Sequence, residues 1–156
     1  MAKSFSDILD QSPETLEASV PLPAGEYVLQ VKKAQIEELK FDFGDHKEGD
    51  ENLMIYLTPI QAVEVDEDDL AQCEDWKNQL LSIRVFPEQM GDRFCDMKSE
   101  RGFVYHCGLD PNDFEDVTAL IAGTEGCQVL GTVVHNPNKN NPDRPYVNLK
   151  STAPVE

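Results

Sequence analysis

Five stretches of the chain have the apolar pattern of β-strands. In the first, residues 26–36, Tyr27, Leu29 and Val31 occupy alternate positions, as expected where one face of a strand meets a core. The others, rich in β-branched or aliphatic residues, span residues 53–63, 80–86, 128–134 and 146–152. Pro59 lies inside the second stretch and predicts a sheet edge or a β-bulge there, because proline cannot donate a ladder hydrogen bond.

A helix is predicted over residues 110–123, between the third and fourth strands. Asp110 can cap its first turn, Pro111 suits the first helical position and Gly123 suits the exit. Four apolar side chains repeat at helical spacing: Phe114, Val117, Leu120 and Ile121. The helix should therefore lie against a core. Residues 88–109 give no single assignment, because they fit a helical turn, a short strand or a helix end.

The order of these elements predicts a mainly β fold with minor α structure. Three strands, a helical region and two strands follow the order of an OB-fold, a five-stranded antiparallel barrel with a helix between strands three and four. A β-sandwich and an unrelated α+β domain with an antiparallel sheet share the same element count. We therefore expect residues 24–156 to form one OB-like domain, preceded by an N-terminal arm with short helical turns at residues 1–23.

Charge is concentrated in one part of the chain. The 156 residues include 30 acids against 13 bases, for a formal net charge of −17. Seven of the acids fall in residues 64–75, which hold no basic residue, whereas residues 124–156 carry no net charge. This pattern predicts an exposed acidic loop at 64–75. Exposed charges are screened beyond about 8 Å at physiological salt, so a basic face remains compatible with the net charge.

Composition also bears on location. The N-terminus has no apolar signal core, and no apolar run approaches the ~20 residues of a membrane span. The four cysteines are scattered and form no Cys-x-x-Cys pair. We expect a soluble cytoplasmic protein with reduced thiols and no membrane partner.

No pattern of catalytic residues stands out. The three histidines are isolated in sequence, and no nucleophile elbow, phosphate-binding glycine loop or zinc-deaminase phrase is present. The acids at 64–75 lack the glycine and terminal glutamate of a calcium loop. The sequence predicts a protein that is not an enzyme and uses no metal or other cofactor.

Both ends of the domain resemble a known family. Residues 23–34, Pro-Ala-Gly-Glu-Tyr-Val-Leu-Gln-Val-Lys-Lys-Ala, are similar to the opening strand of small phage-encoded proteins found beside replication and recombination genes. Residues 120–134, the following Asn, Lys and Pro-rich loop and the run from Tyr146 to Lys150 are similar to their final helix and hairpin. Several members of this group are OB-fold single-stranded DNA-binding proteins. The resemblance implies that function, within the host cytoplasm.

Such binding needs aromatic faces for stacking and cations for phosphates. In an OB-fold these groups come from strands two and three and from the loops joining strands one to two and four to five. The candidates by position are Lys33, Lys40, Phe41, Phe43, Lys47, Tyr56, Arg84, Phe86, Lys139, Arg144 and Tyr146. The alternative is an acidic interaction protein that mimics nucleic acid or binds a basic protein partner through residues 64–75. Clustering of basic side chains on one barrel face would favour DNA.

Overall fold

The sheet is built around its first strand, which pairs with a neighbour on each side. The computed structural model describes Leu9 and residues 20–140 and 145–155. The strands in this part of the chain are β1 (Gly25–Glu38), β2 (Glu51–Val65), β3 (Leu81–Val85), β4 (Gln128–Asn136) and β5 (Tyr146–Ala153). They form one antiparallel sheet in the order β3-β2-β1-β4-β5. The sheet is barrel-like but not closed, because β3 and β5 are its two edges. The predicted mainly β, OB-like fold class is confirmed.

The core fills the concave side of this sheet. Alternate residues of the central strands are fully buried there, including Tyr27, Leu29, Ile55, Leu57 and Val129. Each large aliphatic side chain removed from water in this way contributes roughly 1.5–3 kcal/mol to folding. The period-two pattern of the sequence therefore identified the inner face of the barrel.

Tyr27 carries a polar group into this core. Its side chain is fully buried, and its hydroxyl donates a 2.6 Å hydrogen bond to the backbone oxygen of Pro23. Burial, with a smaller effect of the neighbouring Cys73, raises the pKa of Tyr27 from its ordinary 10.0 to about 12.

This shift predicts a loss of stability at alkaline pH. The folded state binds the tyrosine proton more tightly than the unfolded state, so the stabilisation is complete below about pH 10 and is lost as the pH rises through about 12. A shift of this size corresponds to about 2–3 kcal/mol. Urea unfolding of wild type and Tyr27→Phe across this range should show a steeper loss in the wild type. An equal loss of stability in the two proteins would contradict the assignment of this pH dependence to Tyr27. All other titrating groups are common to both proteins, so their effects cancel in the comparison.

Pro59 lies at a β-bulge, as predicted. Val28 pairs with Gln61 and Leu29 with Pro59, so Ile60 is an extra residue in β2. Only Leu53–Leu57 of β2 pair with β3, which leaves β2 without a neighbour on that side at Pro59. The missing N–H of proline therefore costs no ladder hydrogen bond to β3.

The predicted helix at 110–123 is interrupted. Asp110 caps a short 3₁₀ turn, Pro111–Asp113, by accepting from the backbone N of Asn112 at 2.9 Å. The chain is then extended at Phe114, and Asp116 caps a new helix by accepting from the N of Ala119 at 2.8 Å. The single-helix prediction is wrong because two competing caps lie six residues apart, and each begins its own turn.

The helices of the described residues are short. They are α1 (Glu67–Gln72), α2 (Phe103–His106) and α3 (Val117–Gly123). Residues 88–109, left open by the sequence, hold a π-type turn at Met90–Phe94 and then α2. None of the helices in these residues is long and apolar enough to cross a membrane.

The acidic segment at 64–75 is not a loop. Its first two residues end β2, and α1 occupies Glu67–Gln72. Asp66 accepts from the backbone N of Asp69 at 3.0 Å, and the acids of the first turn lie at the positive end of the short helix. The same charges that indicated a solvated loop therefore favour a helix start.

The last residues of the predicted arm contact the domain. Residues 1–8 and 10–19 of the arm lie outside the described residues, but Leu22 is part of the buried core. The backbone oxygen of Val20 accepts from the Cys73 thiol at 3.4 Å, and that of Leu22 lies 2.6 Å from the His135 Nε2 atom. Val20 and Leu22 therefore pack with the domain. All four cysteines of the chain are free thiols.

Candidate nucleic-acid interface

The outer face of β1, β2 and β3 presents a row of polar and long side chains. The register places Lys33 beside Tyr56 and Tyr56 beside Ser82; one step further, Met54 lies beside Arg84. Paired residues of antiparallel strands point to the same side of the sheet. Because the neighbours of Met54 and Tyr56 along β2 are core residues, this row lies on the side away from the core.

Four rings gather at one end of this face. Phe41, Phe43 and His46 come from the loop after β1, and Phe86 follows β3. The ring centroids lie 6.5 Å apart for Phe41 and Phe43, and 6.0 Å apart for Phe43 and Phe86. We call these four residues with Arg84 the aromatic cluster. Phe41 and Phe43 keep 55% and 47% of their surface exposed, so both offer ring surface to solvent.

Arg84 connects the cluster to the sheet. Its guanidinium carbon lies 5.7 Å from the ring centroid of Phe41 and 5.3 Å from that of Phe43. Its Nε atom donates to the Asn52 Oδ1 atom at 3.2 Å and lies 3.3 Å from the sulfur of Met54. These contacts hold a positive charge against two partly exposed rings, an arrangement stabilised by cation–π attraction.

The loop that carries the phenylalanines is folded onto itself. Phe43 and His46 exchange backbone hydrogen bonds of 2.8 and 2.9 Å, and Leu39 closes the base of the loop by bonding to Asp50 at 2.9 Å. Asp50 also accepts from the backbone N of Lys47, and Asp42 accepts from that of Glu48. Two of the acids near the cluster therefore serve as acceptors for the loop backbone.

Phe86 is not available as a stacking platform. It is only 4% exposed, and the His46 ring stacks on it with the centroids 3.5 Å apart and the planes 5° from parallel. The Nε2 atom of His46 in turn contacts the Glu88 carboxylate. Hydrogen bonding to its own backbone and to His46 lowers the pKa of Glu88. The ring of Phe86, a stacking candidate by position, is thus covered by a histidine that is isolated in sequence, and the ring has no free face for a base.

Tyr56 has a local partner. Its hydroxyl donates a 2.7 Å hydrogen bond to the Glu37 carboxylate, which also accepts from the Gln35 amide at 2.6 Å. The bonds from Gln35 and Tyr56 hold the pKa of Glu37 below its ordinary range. The nearby charges of Lys33 and Lys40 act in the same direction. Tyr56 thus belongs to the polar network of the face, and Lys33 and Lys40 lie close enough to influence it.

A groove extends from Arg84 along the open edge of the barrel. It lies between β3 and β5, is closed from behind by α2 and the turn before it, and has a cavity volume of 620 Å³. We call it the seam groove. Its basic lining residues are Arg84, Arg93, Arg101 and Lys150, and its acidic ones are Asp92 and Glu100. Arg144, the fourth arginine of the chain, lies outside the described residues, so every described arginine lines this groove.

The structure brings together only part of the predicted site. Phe41, Phe43 and Arg84 meet in the aromatic cluster, and Lys40 and Lys47 are exposed on the same loop. Lys139 and Tyr146 lie at the tip of the β4–β5 hairpin, which the register places at the Gly25 end of β1, opposite the cluster. Three groove residues were missed: Arg93, Arg101 and Lys150. The clustering of arginine was the signal for two of them, since three of the four arginines fall within residues 84–101, whereas Lys150 has no such signal.

No group of three or more histidine, cysteine, aspartate or glutamate side chains suited to a metal ion occurs in the described ranges. No family model matches the sequence, and no curated protein or solved structure is significantly similar to it.

Proposed function

We propose that the protein is a non-catalytic single-stranded DNA-binding protein. The observation that carries this proposal is the position of Arg84, whose guanidinium contacts two half-exposed phenylalanine rings at the head of a groove lined by the other described arginines. Unpaired bases stack on exposed rings whatever their sequence, and guanidinium groups bind the phosphates between them.

The net negative charge lowers the affinity of this face for DNA but leaves a local cationic site. Four acids near the aromatic cluster, Glu37, Asp42, Asp50 and Glu88, are held in local hydrogen bonds. The field of exposed charges fades within about 8–10 Å at working salt. The local groups of the groove are four cations against two carboxylates. The distant acids would reduce the affinity through long-range repulsion and favour release, so we expect modest binding that depends strongly on salt.

The resemblance of the first strand and of the final hairpin to phage proteins supports a role in phage DNA replication or recombination, in the host cytoplasm. A strand exposed during replication lacks a partner and presents unstacked bases.

Fluorescence anisotropy tests the proposal. A labelled oligothymidine should bind the protein saturably at about 50 mM salt and more weakly at about 200 mM, because bound phosphates displace counterions. A duplex of equal length should bind much less, since its bases are already stacked on one another. Equal affinity for both, or no binding to the single strand at the lower salt, would contradict the proposal.

The second candidate function is favoured by α1. No residue of this helix is buried, and Glu67, Asp68 and Asp69 form its exposed first turn. An exposed acidic helix suits a basic protein partner. If the oligonucleotides fail to bind, a variant with Glu67→Gln and Asp68→Asn distinguishes this candidate: it should lose a basic partner that the wild type captures, whereas Phe43→Ala should retain it.

A further inference from the structure

The seam groove lies where a closed barrel would have strand pairing. β3 and β5 are the edges of the sheet, and the lining residues 82–84 and 149–152 come from these two edges. Unpaired strand edges usually attract another extended chain, and proteins cover or charge them to prevent this. Here the gap is left as an open cavity lined by cations.

The cations of the groove are positioned by contacts within the protein. Arg93 donates from Nη1 to the backbone oxygen of Arg84 at 3.0 Å and to the side chain of Gln89 at 3.1 Å. Arg101 lies 3.6 Å from the Asp96 carboxylate through Nε, with 70% of its side chain exposed. The two bonds of Arg93 hold its guanidinium against the backbone of β3. Arg101 is paired with Asp96 without a hydrogen bond, and most of its side chain faces solvent.

The opposite wall provides hydroxyl groups as well as charge. Lys150 and Ser151 of β5 are exposed along the groove, and Thr152 lies 2.6 Å from the Nδ1 atom of His106. The second nitrogen of His106 is 2.9 Å from the backbone oxygen of Glu100. A backbone acceptor at Nε2 requires the proton there, so in the neutral ring Nδ1 accepts from the Thr152 hydroxyl. His106 thus fastens β5 to the helical segment and keeps the groove walls in place.

We propose that the seam groove is the phosphate track of a single strand whose bases stack on Phe41 and Phe43. The inference rests on the proposed function and deepens it. The strand would pass Arg84, which contacts both rings and lines the groove, and its phosphates would then meet Arg93, Arg101 and Lys150. Asp92 and Glu100, also in the lining, would repel phosphates locally and restrict the path to the cationic positions. Guanidinium forks and hydroxyls suit phosphate oxygens.

The track predicts a dependence on strand length. An oligothymidine of about 4 nucleotides should occupy the aromatic cluster alone, whereas one of about 12 should also fill the groove. We expect Arg101→Gln combined with Lys150→Gln to lower the steepness of the log K against log salt plot for the longer strand by about 1.4, since each lost phosphate contact contributes about 0.7. Binding of the shorter strand should change by less than about twofold.

Three controls accompany this measurement. Lys77→Gln combined with Lys98→Gln makes the same change in net charge at two exposed lysines outside the groove lining, and it should leave the slope unchanged. Arg101→Lys combined with Lys150→Arg keeps both charges and should restore the slope. Thermal melting of each variant shows that the fold is retained.

The results distinguish failure of single-stranded DNA binding from failure of the phosphate track in the seam groove. If the wild type binds neither strand, the proposed function fails. If the wild type binds and Phe43→Ala weakens it, but the groove variant has the wild-type slope on the longer strand, the track alone is overturned. If Arg101→Gln combined with Lys150→Gln loses affinity for labelled polyglutamate but not for the longer strand, the groove binds acidic peptide. The proposed phosphate track is then also overturned.

Discussion

Replacing Phe41 and Phe43 together with alanine is expected to weaken binding of oligothymidine by about 2–6 kcal/mol, or roughly 30-fold to 10⁴-fold in Kd. Each base that loses its aromatic partner costs about 1–3 kcal/mol. About half of each side chain is buried, so the two truncations together should lower the free energy of unfolding by about 1.5–3 kcal/mol. Anisotropy titration at low salt, with urea unfolding on the same samples, measures both quantities.

Two variants show whether the rings act by stacking. Changing both phenylalanines to leucine keeps an apolar surface over Arg84 but removes the π faces, and it should lose most of the same affinity. Leu80→Ala removes another exposed apolar side chain, 59% accessible, and should have no effect. Wild-type affinity in the double alanine variant would rule out this cluster as the base platform.

Gly25→Ala is expected to destabilise the fold by about 2–6 kcal/mol. Gly25 has a φ of +148°, a region that is essentially limited to glycine and costs other residues about 1–3 kcal/mol. A Cβ here would also lie 2.3 Å from the backbone oxygen of Glu64 and 2.9 Å from a methyl carbon of Val65. Forcing these groups apart adds about 1–3 kcal/mol. Urea unfolding followed by fluorescence of Trp76, which lies against Tyr27, reports the change.

Alanine substitutions at two other glycines distinguish backbone strain from steric contact of the added Cβ. Gly44 has a φ of +58°, but a Cβ added there would meet no atom within 4 Å, so Gly44→Ala should cost only the backbone term of about 1–2 kcal/mol. Gly91 has neither a positive φ nor a close neighbour, and its replacement by alanine should be nearly neutral. An equal fall in the free energy of unfolding for Gly25→Ala and Gly44→Ala would show that steric contact with β2 adds nothing at Gly25.

The sequence-based predictions fail for two reasons, competition between local caps and contacts distant in sequence. At 64–75 and at 110–123 the capping residues were present, but several acids competed for the role, and only the local hydrogen bonds show which one caps. His46 looked isolated because its partners, Phe86 and Glu88, lie about forty residues away in sequence. The order of strands in an OB-fold predicts Tyr146 in the site, whereas the register assigns it to the opposite end of β1.

The sequence by itself determined the five strands, their order and the inner face of the barrel, because alternation with period two is a local property that burial enforces along each strand. It also identified Phe41, Phe43 and Arg84 as candidates from their places in that order. Only the tertiary structure decided that these three side chains touch, that His46 covers Phe86, and that Arg93, Arg101 and Lys150 line one groove. Those contacts depend on bulges, strand register and the incomplete closure between β3 and β5, which arise from long-range packing and leave no periodic mark in the sequence.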